Sequence, residues 1–217
     1  MIVRLQEAVT RAAELGGPVV LILGAVSIVT LAIVLYKLWQ FAAAGVGRHA
    51  ALGQAVAAWD MGDRVGARAA LEHSKSYLRP VIDMAISGLR DAARLEAEAE
   101  ARFARLERGF RFLDMVAQIA PLLGLFGTVL GMIAAFQALQ EAGAQVDPSA
   151  LAGGIWVALL TTAAGLAVAM PTSAALSWFE ARMEAERVFA QRAVATVLAP
   201  GAGSDRAFVA EGAAARA

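Results

Sequence analysis

Two threonine hydroxyls are the groups in this sequence best suited to chemistry. Thr128 and Thr162 each lie in a run of uncharged residues rich in Gly and Ala. A Thr hydroxyl both donates and accepts hydrogen bonds, so it can hold a water molecule or relay a proton without carrying charge. The alternative is that a Thr in a membrane helix bonds the carbonyl four residues earlier and has no other role. We keep that alternative for Thr161, which lies about 100° round the helix from Thr162.

Small residues accompany both hydroxyls at the spacing of a helix face. Steps of four, three and four residues connect the members of each stripe. The stripes consist of Gly124, Thr128, Gly131 and Ala135 in one run, and Ala158, Thr162, Gly165 and Ala169 in the other. Such residues let two helices approach closely in a membrane, so the stripes predict a tightly packed helix pair.

Three uncharged runs must position these residues. Residues 15–36, 115–140 and 148–179 contain no Asp, Glu, Lys or Arg, and each is long enough to cross a bilayer as a helix, which takes about 20 residues. The first run is too long for the apolar part of a signal peptide and follows acidic residues, so we interpret it as a retained span. Pro18 lies in its first turn. The sequence predicts an all-α integral membrane protein with three transmembrane helices and long cytoplasmic helical extensions.

Basic residues predict the topology. The long loop and the tail hold 16 Lys and Arg residues, against two in the N-terminal segment, so the loop and tail are placed in the cytoplasm. Trp39 and Trp178 would lie at the cytoplasmic interface and Trp156 toward the opposite one. The predicted segments are a periplasmic N-terminus (1–17), a first span (18–39), a cytoplasmic helical domain (40–114), a second span (115–140), a periplasmic loop (141–152), a third span (153–178), a cytoplasmic helix (179–199) and a disordered tail (200–217).

The cytoplasmic segments are predicted to be helical. Residues 48–74 indicate a helical hairpin with its break at Asp60, Gly62 and Asp63. From Ile82 onward, apolar residues recur every three or four positions without a helix breaker apart from Gly109, which predicts one long helix that continues into the second span. The charged pattern after Phe179 predicts a similar extension of the third span.

Composition argues against several classes of function. The net charge is zero and Cys is absent, so neither nucleic acid nor a thiolate metal site is indicated. His49 and His73 lie in polar stretches without a nearby second ligand, and we expect both to be solvated rather than metal-bound. No Ser/His/Asp set or nucleotide loop is present, and the glycine pattern of the second run lies inside a membrane helix. The prediction is a protein that is not an enzyme and has no metal or cofactor.

The motifs around the two stripes resemble a known family. Residues 106–109 (LERG), 120–131 (APLLGLFGTVLG) and 158–166 (ALLTTAAGL), followed by Pro171, are similar to the MotA/TolQ/ExbB proton channel family. The ExbB/TolQ branch fits better than the flagellar stator branch, because that branch has four spans and this chain has three. Within this motif we favour a cavity-facing role for both Thr128 and Thr162 over a purely local one.

The resemblance implies a motor subunit of the bacterial inner membrane, with a periplasmic N-terminus and a cytoplasmic C-terminus. ExbB-like proteins form a homo-oligomeric ring in the lipid bilayer, thought to be a pentamer, around helices of an ExbD- or TolR-like single-span partner. Proton flow between them energises an outer-membrane system through a TonB- or TolA-like protein. Thr128 and Thr162 would face the central cavity. Four glycines would permit close helix packing: Gly124, Gly127, Gly131 and Gly165.

One position departs from the family pattern. ExbB and TolQ proteins usually carry a Glu just before the "ALL" segment, and this chain has Val157 there. Its three uncharged runs therefore cannot hold a proton on a carboxylate, and a titrating acid would have to come from the partner. Two alternatives stay open: a TolQ-like subunit of the Tol envelope system, and a membrane scaffold that conducts nothing.

Overall fold

Seven α-helices make up the regular structure of the described residues. The computed structural model describes residues 2–88, 90–142 and 148–201. The helices are α1 (Ile2–Ala44), α2 (Ala50–Asp60), α3 (Arg64–Glu72), α4 (Arg79–Ile86), α5 (Ala92–Leu106), α6 (Phe110–Ala142) and α7 (Pro148–Leu198). Segments of α1, α6 and α7 are long and apolar enough to cross a membrane. The predicted all-α multi-pass membrane protein is confirmed.

One compact unit, here called the membrane unit, comprises Met1–Tyr36 and Gly109–Trp178. Its core is small: Val19 and Leu23 of α1 pack with Val116 and Ala120 of α6 and with Ala169 of α7. Only 17–22% of the most apolar stretch of each span is buried within the chain. Most of its apolar surface therefore needs lipid or other protein chains to cover it.

The first span begins at a sharp change in the backbone of α1. Gly17 has φ 64° and ψ −164°, which is not helical, and Gly adopts this conformation with little strain. Pro18 follows at once, where its missing N–H costs no helical hydrogen bond. The helix then continues without interruption to Ala44, beyond Lys37 where the uncharged run ends.

The second compact unit, here called the polar unit, comprises Lys37–Arg108 and Phe179–Ala217. The predicted hairpin over residues 48–74 is confirmed: α2 and α3 pack against each other, and Gly62 turns the chain between them with φ 86°. The Asp63 carboxylate accepts a hydrogen bond from the Gly66 N–H at 2.8 Å and so caps α3. The indole N–H of Trp59 donates to the Val197 carbonyl of α7 at 3.1 Å.

The single long helix predicted from Ile82 onward is wrong. Gly88 (φ 108°) and Gly109 (φ 95°) interrupt it, and between them α5 begins at a cap in which Asp91 accepts from the Arg94 N–H. The apolar period survives these breaks because α4 and α5 each bury one apolar face and contact each other. Periodicity therefore could not reveal the interruptions. The predicted disordered tail falls mostly on residues 202–217, outside the described residues. Of the predicted periplasmic loop (141–152), residues 143–147 also lie outside them, and the rest is helical, because α6 continues to Ala142 and α7 begins at Pro148.

Candidate functional site

The two stripes of small residues meet in the pair formed by α6 and α7. A methyl group at Gly131 would lie 3.0 Å from the Ala158 Cβ, and one at Gly165 would lie 2.5 Å from the Ala120 carbonyl oxygen. These distances are shorter than ordinary carbon contacts of about 3.5–4.0 Å. The helices are therefore in backbone contact along this face, as far as Gly154 opposite Ala135. Gly124 and Gly127 contribute to the same face.

Gly124 and Gly127 both contact Thr161, for which the sequence predicts only a local role. Methyl groups at these glycines would lie 2.9 Å from the Thr161 carbonyl oxygen and 2.7 Å from its side chain, respectively. The Thr161 hydroxyl lies 2.7 Å from the Ala158 carbonyl of its own helix and 3.1 Å from the Gly124 carbonyl of α6. It is only 2% exposed, so it acts as a polar link between the two helices. The signal that could have identified it is the register of the helix pair, which one sequence does not give.

Thr128 and Thr162 flank the contact face on the side opposite Thr161. Each lies about 40° round its helix from the glycine or alanine four residues earlier, and Thr161 lies about 100° from Thr162. The glycine contacts fix an antiparallel register, in which Thr128 and Thr162 differ by only about 4 Å along the helix axes. Both are half-buried. The Thr128 hydroxyl donates to the Leu125 carbonyl at 2.6 Å. This is a local bond within the helix, but its acceptor is three residues earlier and not the carbonyl four residues earlier of the local alternative.

Val157 occupies a different side of α7 from Thr162. Five residues separate the two, or about 140° of rotation, whereas Val157 and Thr161 differ by only about 40°. Val157 is half-buried next to Ala158, which contacts Gly131. A carboxylate at position 157 would therefore lie on the Thr161 side of the helix pair.

In the polar unit, one buried carboxylate collects several hydrogen bonds. Glu186 of α7 is 2% exposed, and its oxygens accept from the His49 ring at 2.6 Å, the Tyr77 hydroxyl at 2.8 Å and the Gly47 N–H at 2.9 Å. Arg182 lies 3.8 Å away. Burial disfavours the charged form, but the hydrogen bonds from His49 and Tyr77 outweigh it and hold the pKa of Glu186 below its usual value.

The solvated His49 predicted from sequence is wrong. Its other ring nitrogen lies 3.1 Å from the Ser76 hydroxyl, and its ring stacks on Phe189 with centroids 4.3 Å apart. His73, in contrast, is exposed and bonds only the Ala69 carbonyl of its own helix among the contacts described. His49 has a buried partner because Glu186, 137 residues away, folds onto it.

No cluster of His, Asp or Glu suited to a metal ion occurs in the described parts of the chain. What the α6–α7 pair offers instead is a close-packed wall with hydroxyls on both of its flanks. A wall of this kind can border a hydrated path or pack another helix, but it holds no group that titrates near neutral pH.

Comparison with known proteins shows which family has a similar sequence. The profile of the MotA/TolQ/ExbB proton channel family matches residues 67–191. An ExbB homolog of biopolymer transport from Methanothermobacter thermautotrophicus is 36% identical over 132 residues, 57% of this chain and 46% of that protein. Biopolymer transport protein exbB1 from Vibrio cholerae is 47% identical over 66 residues, 30% of this chain and 29% of that protein. Tol-Pal system protein TolQ from Pseudomonas aeruginosa is 36% identical over 115 residues, 52% and 48% of the two chains.

The aligned regions span less than half the length of each of these relatives. The family profile, however, matches more than half of this chain and contains the whole α6–α7 contact face. The chain therefore belongs to the MotA/TolQ/ExbB proton channel family.

Proposed function

We propose that this chain is the ExbB-like subunit of a proton-driven motor in a bacterial inner membrane. It forms a homo-oligomeric ring, a pentamer, around the membrane helices of an ExbD- or TolR-like partner. Proton flow at that interface energises outer-membrane transport through a TonB-like protein. The N-terminus lies in the periplasm and the C-terminus in the cytoplasm. The chain is a channel subunit and not an enzyme.

The observation that carries this proposal is the α6–α7 pair within the family match. Gly124, Gly131 and Gly165 bring the two helices into backbone contact, which holds Thr128 and Thr162 on one side of the pair at similar depth. Two hydroxyl groups held at the same depth in the membrane can bind water molecules, although neither group is charged. A partner helix would then supply the carboxylate that these spans lack.

The exposed surface of α6 supports assembly with other chains. Leu122, Leu125 and Phe126 are each more than half exposed, as is Phe136 farther along the helix. They lie within about 100° of arc on the face of α6 that points away from α7, so lipid or another protein chain must cover that face. A neighbouring subunit or a partner helix on this face would account for its exposed aromatic and aliphatic side chains.

The test is proton flux into vesicles that contain this chain and its co-encoded single-span partner. Thr128→Val and Thr162→Val remove one hydroxyl each at nearly constant volume, and we expect both to lower the flux. Ser173→Ala is the matched control, because it removes an exposed hydroxyl of α7 and should leave the flux unchanged. Full flux in both Thr variants would remove them from the path. Counting the subunits of each chain in the purified complex tests the ring separately.

A TolQ-like role in the Tol envelope system is the second candidate. It is favoured by the similarity to Tol-Pal system protein TolQ, which extends over 52% of this chain. The ExbB-like and TolQ-like roles would use the same α6–α7 pair, so they are distinguished by the phenotype of a gene deletion. Deletion of the gene should impair growth on scarce iron if the role is ExbB-like, and should cause detergent sensitivity if it is TolQ-like.

Val157 favours a third candidate, a scaffold that assembles in the membrane and conducts no protons. This candidate predicts that Thr128→Val and Thr162→Val are both silent. It also predicts that subunit assembly, measured by cross-linking in membranes, is unchanged in both variants.

A further inference from the structure

A cavity with a few polar groups in a mostly apolar wall lies between α1 and α7 in the membrane unit, apart from the α6–α7 contact face. Its volume is about 170 Å³. Ser27 and Thr30 of α1 line it from one side, and Ala167, Pro171 and Thr172 of α7 line it from the other. Apolar side chains of both helices complete the wall.

Two polar groups at this cavity lack their usual partners. Thr30 is only 4% exposed, and its hydroxyl has no hydrogen-bond partner among the described residues. Pro171 carries no N–H, so the Ala167 carbonyl loses the donor that a helix normally provides. The hydroxyl of Thr172 does not replace it, because it donates to the Val168 carbonyl at 2.7 Å.

We propose that this cavity binds ordered water, which bridges the Thr30 hydroxyl and the Ala167 carbonyl. One water occupies about 30 Å³ and needs two to four polar partners, and the cavity provides both the volume and the groups, with Ser27 as a third. Thr30 can turn its hydroxyl toward the cavity by a change of χ1, since Thr uses two χ1 rotamers in helices. Ordered water is also one of the ways in which membrane proteins satisfy a carbonyl freed by proline.

The bound water joins α1 to the point where proline interrupts the hydrogen bonding of α7. Both unmet groups are satisfied at once, and neither helix has to move closer to the other. The site is independent of Thr128 and Thr162, so it is present whether or not the chain conducts protons.

Radiolytic footprinting of the full chain in lipid nanodiscs tests the proposal directly. Radicals formed from bound water oxidise the side chains beside it, so Leu31 and Pro171, which line the cavity, should be labelled. Leu35 is the internal control, because it is exposed on the same span and does not line the cavity. Thr30→Val should reduce the labelling of Leu31 and Pro171 to that of Leu35, and Thr30→Ser should preserve it. Equal labelling in the Val variant, or none in the wild type, would overturn the proposal.

A double-mutant cycle gives a second, independent measurement. Pro171→Ala restores an N–H for the Ala167 carbonyl, so the bridge to Thr30 is no longer needed. We expect the melting temperatures of Thr30→Val, Pro171→Ala and the double variant to be non-additive. Additive shifts would show that Thr30 bonds its own helix instead, and would refute the water bridge. If Pro171→Ala does not fold, footprinting of the Thr30 variants still tests whether water occupies the cavity.

Discussion

Adding one methyl group to Gly165 should separate α6 from α7. In Gly165→Ala the new Cβ would lie 2.5 Å from the Ala120 carbonyl oxygen and 3.1 Å from the Gly124 Cα. Both atoms belong to the backbone of the neighbouring helix, so no side-chain rotation can relieve the clash. The helices must move apart by about 1 Å to restore a normal contact.

The expected cost follows from two opposing effects. Overpacking of a close contact costs about 1–3 kcal/mol, while Ala is favoured over Gly in a helix by about 1 kcal/mol. Because the obstructing atoms are backbone, we take the upper part of the first range and expect a net loss of about 1–2 kcal/mol. Gly131→Ala should cost less, since its new Cβ would meet the Ala158 side chain at 3.0 Å.

Gly24→Ala is the matched control, because Gly24 lies in the first span and has no atom within 4 Å of the position of a new Cβ. The same substitution there should be neutral or slightly stabilising. The assay is the free energy of unfolding of the purified protein in one detergent, measured for all three variants. If Gly165→Ala is as stable as Gly24→Ala, the α6–α7 contact is not the close packing described here.

Three further predictions concern single side chains. Thr161→Val should lower the unfolding free energy by about 1 kcal/mol, since it removes a hydrogen bond between α6 and α7; a melting temperature equal to that of the wild type would contradict this. The depressed pKa of Glu186 stabilises the fold above the ordinary carboxyl value of 4.5, and this contribution should disappear as pH falls through the lower folded value. Glu186→Gln should abolish that pH dependence in acid titrations monitored by circular dichroism, and an unchanged acid transition would refute the assignment. Val157→Glu should raise proton flux in vesicles with the partner, and equal flux in both forms would argue against a role for this position.

The spans and the two stripes could be predicted from the sequence because each depends on local pattern. Uncharged runs of this length specify membrane helices, and small residues at steps of three and four specify a face that packs closely. The breaks at Gly88 and Gly109 could not be predicted in the same way. Both glycines adopt positive φ, but an isolated Gly is also tolerated inside a helix, so only the tertiary structure distinguishes the two cases.

Contacts between residues far apart in the sequence could not be predicted either. The polar sequence neighbours of His49 predict a solvated ring, yet it bonds a carboxylate 137 residues away. The sequence predicts only a local role for Thr161, because nothing in it fixes which residue of α7 faces Gly124. In both cases the deciding factor is tertiary packing, which arises from the whole set of contacts rather than from any segment.

The register of α6 and α7 also shows that the role of Thr162 and the role of position 157 can be tested separately. Thr162 and Val157 lie about 140° apart on α7, so substitutions at these positions test different surfaces of the same helix. Loss of flux in Thr162→Val with no gain in Val157→Glu would place the path on the side shared with Thr128. A gain in Val157→Glu with a silent Thr162→Val would place it on the side of Thr161, where the hydroxyl already bonds the Gly124 carbonyl. Effects in both variants require a path that touches both flanks of the α6–α7 pair.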